Sequence, residues 1–115
     1  MHRIALDTNE RAAVVTASGE LDAFVADDLT DAFRGAADSG GVLVDLTAVS
    51  FMDSTALGLL VRAVREVDAR GGVIRVVLPA GTARRIFELT TLDRVLPVAS
   101  SRAKALAELE GSSAD

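Results

Sequence analysis

No cysteine, tryptophan or tyrosine occurs in this sequence, and histidine and lysine occur once each, at His2 and Lys104. Without cysteine there is no disulfide and no thiolate metal site, and a cytoplasmic setting is the expectation. One histidine and scattered carboxylates give no clustered ligand spacing, so no metal is expected and His2 reads as a solvated terminal residue. Aromatic residues make up only 3% and the formal charge is −5. That balance argues against nucleic acid, which calls for basic tracks and often for stacking platforms. No apolar run approaches the roughly 18 residues of a membrane span, since Leu59-Leu60-Val61 is cut by Arg62. The first residues also lack a basic segment followed by an apolar stretch, so neither membrane insertion nor a secretory signal is expected.

What the chain does contain is apolar aliphatic residues in quantity, 50% hydrophobic over 115 positions. This suits one domain large enough to bury a core without staples. The expected domain covers residues 1–110, with residues 111–115 as a disordered tail.

Ile4 to Leu6 reads as a short strand and Thr8-Asn9-Glu10-Arg11 as a hairpin turn. Ala12 to Ser18, rich in small and β-branched residues, is the next strand and is expected to stop at Gly19. Asp22 suits the N-cap of a helix carrying Val25, Leu29, Ala32, Phe33 and Ala36 at helical spacing. After Gly40-Gly41, Val42 to Leu46 predicts a strand buried on both faces, followed by a polar turn. The next helix has Leu57, Leu60, Val61, Val64 and Val67 on one stripe and ends at Gly71-Gly72. Val73 to Leu78 is a strand closed by Pro79. A helix over about Thr82 to Leu89, an edge strand over Val95 to Val98 and a last helix from Ser101 to Leu109 complete the series. Strands alternating with helices from residue 42 onward imply parallel neighbours, whereas the first two strands form a hairpin. The expected fold is therefore α/β, a mixed sheet with helices packed mainly on it.

Several chemistries find no support. A nucleophilic Ser54 needs a base and an orienting group within reach, yet the only histidine is terminal, Lys104 lies at the far end, and no G-x-S-x-G elbow is present. Gly40-Gly41 and Gly71-Gly72 precede strands rather than helices, unlike a phosphate-cradling loop, so no cofactor is expected. Asp45 near a strand end hints at an aspartyl-phosphate receiver, but the further carboxylates and the lysine of such a site are missing, and Asp45 reads as a turn or cap carboxylate.

The stretch Asp53-Ser54-Thr55 holds more. It opens a helix after an apolar strand, where free N–H groups and the positive dipole end favour added negative charge. Any one of these residues suffices as an N-cap. Three in a row leave two readings open, a plain cap or a phosphorylation switch. Leu59, nearly opposite Leu57 on the helical wheel, is expected on the outer face as a partner contact.

The run Ser50-Phe51-Met52-Asp53-Ser54-Thr55-Ala56-Leu57-Gly58 closely resembles the signature of bacterial anti-anti-sigma factors (anti-sigma factor antagonists), the small single-domain members of the STAS family. Gly19-Glu20-Leu21-Asp22 is similar to the family's G-E-L-D turn. Gly71-Gly72, Arg85-Ile86-Phe87-Glu88-Leu89 and Leu92 follow the family layout in order. The resemblance implies a STAS-type mixed sheet with an N-terminal hairpin and βα units, and a monomeric partner-switching regulator of transcription rather than an enzyme. Unphosphorylated, such a protein binds an anti-sigma factor that is a GHKL-type serine kinase and so frees a sigma factor. The kinase, which alone uses ATP, phosphorylates Ser54, or less readily Thr55, and the complex parts; a serine phosphatase resets it. The implied contact face is Asp22, Asp53, Ser54, Thr55, Leu59 and Arg62. The alternative is a STAS module that is not phosphorylated, acting as a scaffold or as an accessory subunit of a lipid transporter. Ala56 departs from the family, which often carries glycine there; alanine favours helix by about 1 kcal/mol and stiffens the helix start.

Overall fold

The computed structural model describes residues 2–8, 12–78 and 96–113, with side chains through Leu109. Strand β1 (His2–Thr8) pairs antiparallel with β2 (Ala13–Leu21), in register from His2 opposite Gly19 to Thr8 opposite Ala13. Asn9 to Arg11 of the expected hairpin turn lie outside the described residues. A 3-10 turn (Ala23–Val25) then leads into α1 (Ala26–Ala36), which is followed by β3 (Gly41–Met52), α2 (Ser54–Ala69) and β4 (Val73–Val77). Past residues 79–95, which are not described, come β5 (Val98–Ala99) and α3 (Arg102–Ser113). The expected helix at Thr82 to Leu89 and the family-like residues Arg85 to Leu89 and Leu92 fall in that stretch.

The five strands lie in sequence order, and every pair after the hairpin is parallel. Period-two alternation divides the side chains between two faces. Ala13, Val15, Val42, Val44, Ile74 and Val76 pack under α1 and α2, while Val14, Leu43 and Val77 face the other way with Ala105 and Leu109 of α3. Helices thus cover both faces, which is why residues 41–46 of β3 are buried without interruption.

Helix α2 ends as its sequence predicts. Gly71 takes φ +79°, its N–H bonds the Asp68 carbonyl at 3.0 Å, and the Gly72 N–H bonds the Val67 carbonyl at 2.9 Å. This is a Schellman closure, for which glycine is the preferred residue.

Strand extents differ from expectation in instructive ways. Gly19 does not stop β2: it adopts φ +79° at a register shift, and the strand continues through Leu21. That continuation gives Thr47 to Met52 a partner, so the polar turn expected after Leu46 is instead the second half of a 12-residue strand. β-Branched and aromatic residues such as Thr47, Val49 and Phe51 suit it. The edge strand sits at Val98–Ala99, just past Pro97, whose carbonyl accepts the Val76 N–H at 2.9 Å. The last helix starts at Arg102 and extends to Ser113, beyond the expected end at Leu109 and into the expected tail; Ala114 and Asp115 lie outside the described residues. Among the described residues, no helix is long and apolar enough to cross a membrane.

Candidate functional site

The C-terminal ends of β2 and β3 are neighbours, so the connections leaving them, at Asp22 and at Asp53, come together at one end of the sheet. The Asp53 N–H still follows the strand pattern, donating to the Leu21 carbonyl at 2.9 Å. Its side chain then does two things. Oδ1 accepts the Ala56 N–H at 2.9 Å, which is the N-cap of α2. Oδ2 accepts the Ala23 N–H at 3.0 Å, which ties the 3-10 turn to the start of α2. Asp22 acts in parallel: its Oδ1 accepts the Phe24 N–H at 3.0 Å and its carbonyl accepts the Val25 N–H at 3.1 Å. Asp22 therefore caps as expected, although it caps the 3-10 turn, with α1 beginning only at Ala26.

Ser54 and Thr55 follow as the first two residues of α2, and both are exposed. Asp53 fills the cap, so neither hydroxyl is needed for it. Ala56, next in line, is buried, and its methyl joins the core beneath the helix start. Arg62 is exposed two turns further along and is in no ion pair among the described residues. Helical spacing brings Thr55, Gly58 and Arg62 onto one face. Gly58 is exposed and a Cβ built on it would meet nothing within 4 Å, so the fold itself does not require glycine there.

Leu59 does not stand on the outer face as expected. It is half-buried against the main core, as is Leu57. Helix α2 packs on the sheet and on α1 together, and its covered arc is wider than a single stripe. Sequence reasoning also passed over Phe24, which is 96% exposed beside the Asp53 tether. Its signal was available locally, as an aromatic residue out of step with Val25, Leu29, Ala32 and Ala36.

Asp45 is no turn residue. It lies within β3, 5% exposed, on the face covered by α3. Its Oδ1 accepts from the Thr47 N–H at 2.9 Å and the Thr47 hydroxyl at 2.7 Å, and its Oδ2 accepts from Arg102 Nη1 at 2.9 Å. Burial pushes its pKa up, but the two Thr47 bonds and the Arg102 guanidinium outweigh this and hold it below the ordinary value. The group anchors α3 to the sheet, on the face opposite α1 and α2. Among the described residues, no three His, Asp or Glu side chains come together as a metal site.

Most of the chain matches a known family: the STAS domain model aligns with residues 3–105. The chain belongs to the STAS domain family. The anti-sigma-B factor antagonist of Bacillus subtilis is 30% identical over 93 residues, which is 80% of this STAS chain and 85% of its own. A Thermotoga neapolitana relative is 31% identical over 70 residues, 61% of this chain and 62% of its own. Among solved structures, an anti-sigma factor antagonist from Mycobacterium paratuberculosis superposes with a TM-score of 0.86 at 25% identity, covering 96% of this chain and 95% of that one. The fold is shared too by the Bacillus cell fate determinant SpoIIAA in its phosphorylated form, with a TM-score of 0.67 at 23% identity over 93% of this chain and 99% of the other.

Proposed function

We propose that this STAS chain is an anti-sigma factor antagonist working by partner switching. Unphosphorylated, it docks through the Asp22, Asp53 and α2 edge onto an anti-sigma factor that is a GHKL-type serine kinase, and the sigma factor held by that kinase is released. The kinase transfers phosphate from its own ATP to Ser54, the complex separates, and a serine phosphatase restores the starting state. The chain acts as a cytoplasmic monomer, binds no cofactor and catalyses no reaction.

One observation carries this reading. The Asp53 carboxylate supplies the α2 cap and the tether to Ala23, and the Ser54 hydroxyl stands exposed at N1 with no capping duty. A phosphate there adds about −1.5 to −2 charges. The helix dipole tolerates that charge, so the domain stays folded. Docking does not tolerate it: a dianion next to the Asp53 carboxylate would have to be desolvated at the interface, at a cost that unmodified Ser54 does not incur. Near-complete switching requires about 5.5 kcal/mol of differential affinity, within reach of a buried, unpaired dianion.

The test is to incubate the protein with its cognate kinase and ATP and to map the product by mass spectrometry. Phosphate on Ser54, lost in Ser54→Ala, supports the proposal. An unmodified Ser54 with the true partner contradicts it.

A further inference from the structure

Phe24 is the most exposed large apolar side chain among the described residues, at 96%, ahead of Phe51 at 45% and Leu6 at 38%. Single exposed apolar residues are common and need no explanation in themselves. This one is held out by its backbone. The Ala23 N–H is taken by Asp53, the Phe24 N–H by the Asp22 carboxylate and the Val25 N–H by the Asp22 carbonyl. Val25 next to it is buried in the core and fixes the turn from the other side. These bonds fix the backbone from which the ring projects, so only its two side-chain torsions remain to be set. An aromatic side chain has only two torsions to fix on docking, and with the backbone already held the ordering cost of such an interface anchor is small.

The stretch of chain that carries it is acidic, and basic groups enter only at the far side, where His2 lies 3.6 Å from Asp28 with Arg3 beside it. Residues 12–33 contain no Lys, Arg or His, while Glu20, Asp22, Asp27, Asp28 and Asp31 are acidic, and Asp53 joins them through the Ala23 tether. A complementary surface therefore has an apolar pocket with a basic rim.

Resting on the function proposed above, we infer that Phe24 is the apolar anchor of the anti-sigma factor interface, inserted into an apolar pocket rimmed by arginine or lysine on that partner. Asp53 is its positioning residue, because one carboxylate fixes both the turn that carries Phe24 and the helix start that carries Ser54. Anchor and switch thus share one support. A phosphate on Ser54 acts directly beside Asp53, whose carboxylate also holds the Ala23 N–H, one residue before Phe24.

The experiment is a titration of wild type, Phe24→Ala, Phe24→Leu and Ser54→Asp against the cognate anti-sigma factor at two salt concentrations, with a thermal melt of each variant. Phe24→Ala is expected to weaken binding at least tenfold while its Tm stays within about one degree of wild type, since the ring packs on nothing. Phe24→Leu should recover part of the loss, and wild-type affinity should fall as salt rises. Affinity of Phe24→Ala within twofold of wild type overturns the inference, as does a loss fully matched by a drop in Tm. If Ser54→Asp then still loses binding, the proposed function stands and only the anchor fails. No binding by wild type removes both. A change in self-association with partner affinity intact assigns Phe24 to a second copy of this chain and overturns the inference too.

Discussion

Asp53 and Ala23, thirty residues apart, are joined by a 3.0 Å hydrogen bond from the Ala23 N–H to Asp53 Oδ2. The other oxygen of the same carboxylate caps α2 at the Ala56 N–H. One side chain thus holds two connections together at the end of the sheet where β2 and β3 finish, and it frees Ser54 from structural work. The neighbouring residues divide cleanly in role: Asp53 supports, Ser54 is available.

That division predicts unequal stability effects. Asp53→Ala removes cap and tether together and is expected to destabilise the domain by about 1–2 kcal/mol. Asp53→Asn keeps one carbonyl acceptor and should lose less. Ser54→Ala should fall within about 0.5 kcal/mol of wild type, as for other surface substitutions. Urea denaturation of the three variants checks this. A cost of about 1 kcal/mol for Ser54→Ala with none for Asp53→Ala would reassign the cap to Ser54.

Gly58 offers a second test. It sits on the exposed face of α2, and a Cβ there meets no atom within 4 Å. Alanine favours a helix interior over glycine by about 1 kcal/mol, so Gly58→Ala should raise the melting temperature by a few degrees. A lower melting temperature would mean that the helix needs glycine for its own packing. If the variant is more stable yet binds the anti-sigma factor less well, the glycine serves close approach by the partner.

Asp45 gives the fold a defined acid sensitivity. Its folded pKa lies below the ordinary value. A depressed carboxylate stabilises the fold at pH above its unfolded pKa of about 3.9, and that contribution is lost as pH falls through the folded value. Asp45→Asn is expected to cost about 1–2 kcal/mol at neutral pH. The figure is smaller than the 3–5 of a sealed ion pair, because the Arg102 side chain is 49% exposed and can hydrate. The gap between variant and wild type should narrow below about pH 4, measurable by denaturation across pH 3 to 7. A gap that is constant over that range would show that Asp45 stays protonated or unpaired throughout.

Local rules reached much of this architecture and stopped where partners are distant in sequence. The Asp22 cap, the Gly71-Gly72 stop and the strand beginning at Val73 each depend on residues a few positions apart, and each is present. The second half of β3 was hidden because Thr47 to Met52 looks like a turn until β2 is known to extend past Gly19 and pair with it. Arg102 lies 57 residues from Asp45, so nothing near Asp45 announces the ion pair that makes it a strand residue. Leu59 shows the converse limit: a wheel drawn for one packing surface misplaces a residue on a helix that touches two. At the site, the residue types at Asp53-Ser54-Thr55 were legible, but which of them caps was not, because only the geometry assigns Asp53 to both amides.

The most direct test of the account compares one partner and two states of this chain. The affinity of the cognate anti-sigma kinase is measured for the unmodified protein and for protein stoichiometrically phosphorylated on Ser54, with circular dichroism confirming that both are folded. The account predicts tight binding of the unmodified form and a loss on the order of 10⁴-fold for the phosphorylated one, the size of a near-complete switch. Equal affinities of two folded forms would contradict it.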